Sequence, residues 1–470
     1  MGTKLEQMYS VALRLANATF DGFDSWFETK AESYTADFVK NPTLSRFNHG
    51  IAITGAKAGP LKLAYQNTAV FGATGSGKSS TVIHSSVVSL ARGKTSMVFN
   101  DVMGEAYNTL SGFLAREGYM IRKINFRNPL ESESFNPLEF IKSDTGIFLV
   151  AYLMYVNSDA ENKGDKFWEH SSVMLLSLII RYLYHHADRK YLSIQNVLRI
   201  VERLSYDPSS VSKLFVRTHD EELINSYKAT VAMSEKTLQS IIATLRTILR
   251  LWLDKTICQT TATSSFSLDE LRGEQPVAIF VCTEIQDLNY TKPITALFYH
   301  TLFNYTLSRI PDENERSIIF ILDEFAIYTF PEVATLTSTI RKFKAGLLIA
   351  MQDEAALTAR YGASVAHQII TNMGTQIYLK GQPLDTCKKL SQILGKHTFE
   401  TDRGEKSREL LTPDEIRMLE DAIILINNKP PMKAKMVPHF ENIWLRHLTK
   451  LPPYVPEPIQ MKTPELIPFE

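Results

Sequence analysis

Gly72-Ala73-Thr74-Gly75-Ser76-Gly77-Lys78-Ser79 lies between the apolar run Thr68-Ala69-Val70-Phe71 and Thr81-Val82-Ile83-His84-Ser85-Ser86-Val87-Val88-Ser89-Leu90. The three pieces read as strand, glycine turn and helix, the context in which this glycine–lysine–serine spacing becomes a phosphate site. Glycine lets backbone N–H groups close around phosphate oxygens, at a helix N-terminus whose partial positive charge favours anions. Gly72, Ala73, Thr74, Gly75, Ser76, Gly77, Lys78, Ser79 and Ser80 are therefore the candidate nucleotide contacts. Lys78 would reach the β- and γ-phosphates, and the Ser79 hydroxyl would hold Mg2+. The alternative is a glycine turn that binds nothing.

The 470 residues are enough for two or three domains with a sizeable core. The apolar fraction of 44% and charged fraction of 22% are those of an ordinary globular chain. A formal net charge of zero argues against a chain coated in basic residues, but a basic channel is compatible with it. Cys258, Cys282 and Cys387 form no CxxC pair and read as buried thiols of a reducing cytoplasm. No run reaches the roughly 18 apolar residues that span a bilayer, and the start lacks an apolar signal core. The chain is expected to have no transmembrane segment of its own.

Residues 1–50 read as a helical N-terminal region, with Phe20, Phe23, Trp26 and Phe27 as a docking stripe. Residues 51–142 alternate short apolar strands with helices, which predicts a parallel sheet covered on both faces. Over 143–265 the strand pattern gives way to helical periodicity, an all-α insertion domain of about 120 residues. Strands resume at 277–281, 318–322, 347–351, 376–379 and 423–426, so 266–445 completes the sheet. Residues 446–470 hold six prolines and read as an extended surface arm. His185-His186 ends a helix and lacks further ligands at metal-site spacing. The fold class is thus α/β: a nucleotide-binding domain, mostly parallel, interrupted by an all-α domain.

Ile318-Ile319-Phe320-Ile321-Leu322-Asp323-Glu324 is a continuous apolar strand ending in two carboxylates, the form of a Walker B element. Open α/β sheets bind ligands at the edge where strands end. Asp323 would ligate Mg2+, and Glu324 would orient and deprotonate the attacking water, which points to hydrolysis of ATP. The plain alternative is an acid pair capping the next helix. Gln352, just past another apolar strand, is placed to contact the γ-phosphate or the lytic water; a surface glutamine starting a helix is the other reading. Arg341, in Arg341-Lys342-Phe343-Lys344, is the candidate for completing a neighbouring subunit's site, against a solvated basic helix end.

Further boxes accompany these four pieces: Asp101-Val102-Met103-Gly104-Glu105, Ser134-Phe135-Asn136-Pro137-Leu138, Asp165-Lys166-Phe167-Trp168, Arg360-Tyr361-Gly362 and Leu410-Leu411-Thr412-Pro413-Asp414-Glu415-Ile416-Arg417. In this order, over roughly 50–439, the chain resembles the type IV coupling proteins, the TraG/TraD-like ATPases of conjugation and type IV secretion, of the HerA/FtsK superfamily. The box at Asp101 departs from that family's Asp-Pro-Lys-Gly-Glu, and the family's N-terminal membrane helices have no counterpart.

The resemblance implies a RecA-like domain, an all-α domain at the cytoplasmic mouth, a homo-hexameric ring with sites between subunits, and sequence-independent DNA contact. Arg122, Lys123 and Arg127 are conceivable DNA contacts, with surface charge the safer reading. It implies an ATP-hydrolysing coupling protein that brings DNA, with relaxase-type or other secretion substrates, to membrane secretion components. The location implied is cytoplasmic, at the inner membrane through a partner. The competing readings are an ATP-dependent receptor for protein cargo and a cytoplasmic HerA-like DNA translocase.

Overall fold

The computed structural model describes residues 36–38, 44–158, 166–330, 332–401 and 404–469. The aromatic stripe at Phe20–Phe27 and Asp165 of the Phe-Trp box lie outside them. One nine-stranded sheet dominates. Its strands are β1 (Thr68–Phe71), β2 (Ser96–Val102), β3 (Met120–Ile124), β4 (Val277–Thr283), β5 (Ile318–Leu322), β6 (Ala345–Met351) and β7 (Thr375–Tyr378). A hairpin of β8 (Lys396–Thr401) and β9 (Gly404–Glu409) stands apart, and β10 (Ala422–Ile426) and β11 (Met432–Ala434) rejoin the sheet. The spatial order is β11-β10-β7-β1-β6-β5-β2-β4-β3.

Strands β1 to β7 pair in parallel, while β10 and β11 add antiparallel at one edge. Parallel strands are covered on both faces, so their sequences are apolar throughout; β1, β4, β5 and β6 are buried at every position. The alternation of side chains splits them between two cores. Ala69, Phe71, Val98, Phe320 and Ile349 face one side. Val70, Phe99, Ile319, Ile321 and Leu348 face the other, beneath helices His84–Arg92 and Glu105–Arg116.

Between β3 and β4 the described chain is helical, including Asp144–Val156, Lys166–His185, Ile194–Tyr206 and Glu235–Leu249. Ser143, Ser193, Asp220 and Ser234 each cap a helix of this region by accepting from N–H groups of the first turn, each a contribution of about 1 kcal/mol. The apolar residues of these helices join the first face's core, with Ile179, Ile180 and Leu245 in the same cluster as Phe71 and Phe320. Asn136 anchors the approach to this region. Fully buried, it donates to the carbonyls of Leu192 (2.7 Å) and Ala262 (3.1 Å) and accepts from the Leu138 N–H. His185 and His186 are spent on Asp144 (2.8 Å) and Asp220 (3.2 Å). The three cysteines are free and buried. No described helix is long and apolar enough to cross a membrane.

The proline-rich tail is irregular, yet it is not a free arm. Tyr454 donates its N–H to Ser111 (2.9 Å) and accepts from the Tyr107 hydroxyl (2.6 Å). A Cβ at Gly112 would run into the Pro452 carbonyl, so only glycine allows this approach. Farther on, Asn196 receives the Ile467 N–H (3.0 Å) and donates to the Glu465 carbonyl (2.8 Å), and Ile467 is only 3% exposed. Buried polar groups on two helices bind the tail's backbone, a pattern that proline content does not reveal.

Candidate active site

Four adjacent strands, β1, β6, β5 and β2, end at the same edge of the sheet. Because they are parallel, the residues following them converge: the glycine loop after Phe71, Gln352 after Met351, Asp323 after Leu322, and Asp101 within the end of β2. In the loop, Gly75 and Gly77 hold φ of 78° and 95°, a conformation side chains resist. Lys78 is 8% exposed, and its ammonium lies 2.8 Å from the Gly72 carbonyl and 3.5 Å from that of Ala73. The Ser76 hydroxyl is buried with no hydrogen-bond partner among the described residues.

The first turn after the loop, Lys78–Ile83, is wound wide as a π-helix before the α-helix begins, where the sequence predicts α-helix from Thr81. The His84 N–H reaches back five residues to the Ser79 carbonyl. Such single wide turns recur at functional sites. Thr81 ties the turn to the loop, donating its N–H (2.8 Å) and its hydroxyl (2.6 Å) to the Gly77 carbonyl.

The Ser79 hydroxyl stands 3.4 Å from an Asp323 carboxylate oxygen. Burial pushes the Asp323 carboxyl up to about 6, and neighbouring Glu324 adds to this against the opposing Lys78. Glu324 sits in the left-handed region with φ 51°, which costs about 1–2 kcal/mol and is held only where surroundings enforce it. Gln352 donates to the Thr74 hydroxyl at 3.3 Å, bringing the third predicted piece onto the loop.

Arg341 is not part of this constellation. It lies in the turn Ile340–Phe343 before β6, at the opposite edge of the sheet, exposed and with no ion pair among the described residues. Arg122, Lys123 and Arg127 are each engaged, with Glu133 and Glu270, with Glu131, and with Asp254 and Asp287 respectively.

Two residues at the site were not singled out from sequence. Asn100 donates to the Asp323 carbonyl and accepts from the hydroxyls of Tyr328 (3.1 Å) and Tyr299 (3.3 Å). Its signal was available: a polar amide ending an apolar strand, as with Gln352. His439 donates its N–H to the Ser80 carbonyl (2.8 Å), from a segment far along the chain that no local pattern marks. Asp101 takes the N–H groups of Ala106 (2.9 Å) and Tyr107 (2.7 Å), and burial still raises its carboxyl to about 6. Met103, where the resembled box has lysine, has φ 68° and is exposed.

The residues suit a nucleoside triphosphate with Mg2+: an unpartnered hydroxyl inside a glycine cradle, and a hydroxyl and a carboxylate close enough to share a hard cation. The fold and this site define an α/β protein with a P-loop fold of the RecA-like kind. Residues 27–464 match the family described as type IV secretory system conjugative DNA transfer, and the chain belongs to that family.

Over 219 residues it is 25% identical to Protein VirD4 of Rhizobium rhizogenes, an alignment covering 43% of this chain and 32% of that protein. The chain thus spans about a third of the length of that curated relative. Among solved structures, the plasmid coupling protein TrwB with the non-hydrolysable ATP analogue ADPNP superposes with TM-score 0.68 at 16% identity, over 88% of this chain and 92% of that one. TrwB with ADP and Mg2+ gives 0.67 at 17%, over 89% and 92%. At these identities the likeness speaks for the fold.

Proposed function

We propose that this chain is the motor of a conjugative DNA-transfer coupling protein: an ATPase that recruits DNA and drives it toward membrane secretion components. The observation that carries the reading is the 3.4 Å approach of Ser79 to Asp323, which joins phosphate loop and acid pair at one edge of the sheet. Membership of the conjugative DNA-transfer family supports the cargo. The relatives' bound ADPNP, ADP and Mg2+ support the ligands.

In this reading Gly72 to Ser80 wrap the phosphates and Lys78 turns from the loop carbonyls to phosphate oxygens. Ser79 and Asp323 would hold Mg2+, which would supply charge neutralisation at the phosphates. Glu324 takes a proton from the attacking water, and Gln352, already on Thr74, responds to the γ-phosphate. Arg341 lies too far from its own loop to act there, so its role is in trans, in a homo-hexamer with sites between subunits. Segments 51–142 and 266–445 form the nucleotide-binding domain and 143–265 the helical domain facing incoming relaxase-type or other cargo. The N-terminal region covers 1–50 and the tail 446–470. The place of work is the cytoplasmic side of the inner membrane, through a partner.

The test is ATP hydrolysis by the purified chain with and without single- and double-stranded DNA. Stimulation of several-fold is expected, falling as salt rises because the contacts are to phosphates. Turnover that ignores DNA at every salt concentration would overturn the motor and favour the protein-cargo receptor.

A further inference from the structure

We propose that Phe440, set by His439, is the platform on which the base of a purine nucleotide stacks. This rests on the nucleotide reading of the glycine loop and adds the base-binding element that loop lacks. Backbone amides of such a loop cradle the α- and β-phosphates, so ribose and base leave at the helical end, past Ser80. The segment after β11 reaches Ser80 from far along the chain, through His439. The His439 N–H donates to the Ser80 carbonyl at 2.8 Å, and its ring Nδ1 lies 3.1 Å from the same oxygen.

The segment is fixed rather than draped. Val437 donates its N–H to the Thr54 carbonyl (3.1 Å), and the His439 ring packs on the buried His84 ring with centroids 4.8 Å apart. Phe440 follows, edge-on to His439 at 5.4 Å and 78°, and is 51% exposed. The ring is thus half open to solvent, one residue from the group that touches Ser80. The wide turn at Lys78–Ile83 belongs to the same junction, since its far end, His84, is what His439 packs against. Stacking reads the flat face of a base and tolerates its identity, so ATP and GTP should bind within about threefold of each other.

The experiment is calorimetric titration of the full chain with Mg-ATP and with Mg-tripolyphosphate, which has no base. Phe440→Ala should weaken ATP by about tenfold while tripolyphosphate stays within about twofold, and Phe440→Tyr should keep ATP affinity. An ATP affinity unchanged in Phe440→Ala overturns the platform and leaves the nucleotide reading standing. Equal losses for both ligands overturn it too, because the ring would then support the loop rather than the base. A native chain that binds neither ligand overturns the nucleotide reading and the platform together.

Discussion

The side-chain amide of Asn100 donates to the backbone carbonyl of Asp323, so the end of β2 holds the turn on which β5 delivers its acid pair. Two buried phenols, Tyr299 on helix Leu288–Leu307 and Tyr328 just past β5, donate to the Asn100 carbonyl oxygen and lock it. Asn100→Leu fills similar space but strands the Tyr328 hydroxyl and frees the turn, while the Tyr299 hydroxyl keeps the Phe99 carbonyl at 3.1 Å. Stability should drop by about 2–3 kcal/mol, and kcat for ATP should fall while KM barely moves. Urea unfolding and steady-state kinetics check the two; a normal kcat would show that the turn holds itself.

Lys78 contributes its charge at the loop rather than to the core. Lys78→Ala should abolish measurable ATP binding with Mg2+, while the melting temperature without nucleotide stays within about 3 °C of native, since only bonds to two loop carbonyls are lost. Calorimetry and a thermal melt on the same preparation decide it.

Glu324→Gln keeps the shape and removes the base. The variant should retain ATP and hydrolyse it at least about a hundredfold more slowly, in the range of a lost general base. Nucleotide recovered after gel filtration should be triphosphate; turnover at the native rate would assign the base elsewhere.

The buried carboxyl of Asp101 predicts the pH dependence of stability. Its ordinary value is 3.8 and burial lifts it to about 6, so the folded state holds this proton more tightly than the unfolded chain. Stability is then fully present below pH 4 and declines as pH rises to about 6, by about 3 kcal/mol. Asp323 shifts in the same direction over the same window. Asp101→Asn should therefore flatten roughly half of the decline seen in melts between pH 4 and 6.5 without Mg2+.

Arg341 is tested by mixing. Neither Arg341→Ala nor Lys78→Ala should hydrolyse ATP alone, but mixed rings pair an intact loop with an intact arginine at some interfaces and should recover part of the rate. Absence of recovery at every ratio would remove Arg341 from the site.

The central strands and the acid pair were legible because buried parallel strands are apolar at every position and the loop's spacing is rigid. Ile318–Leu322 is read with its bounds unchanged. The antiparallel turn-back at β10 was not legible: Ala422–Ile426 is as apolar as its parallel neighbours, and strand direction leaves no mark on composition. At the site, Gln352 and Asn100 carry the same signal, a polar amide at the end of an apolar run, while His439 carries none. Its importance comes from the fold bringing residue 439 to residue 80. Charge alone does not show how Arg122 is used: its guanidinium bonds to Glu133 and Glu270, partners that only the fold brings to it.

The pinned tail makes the sheet and the helical segment share a closed circuit of chain. Besides its two covalent ends and the core it shares with the sheet, the segment is tied by the tail, which binds Ser111 on one helix through Tyr454 and Asn196 on another through Ile467. A chain end anchored at both places puts helix Ile194–Tyr206 and the helix bearing Ser111 on one tether, so cutting the tail between Tyr454 and Ile467 would release both anchors from each other.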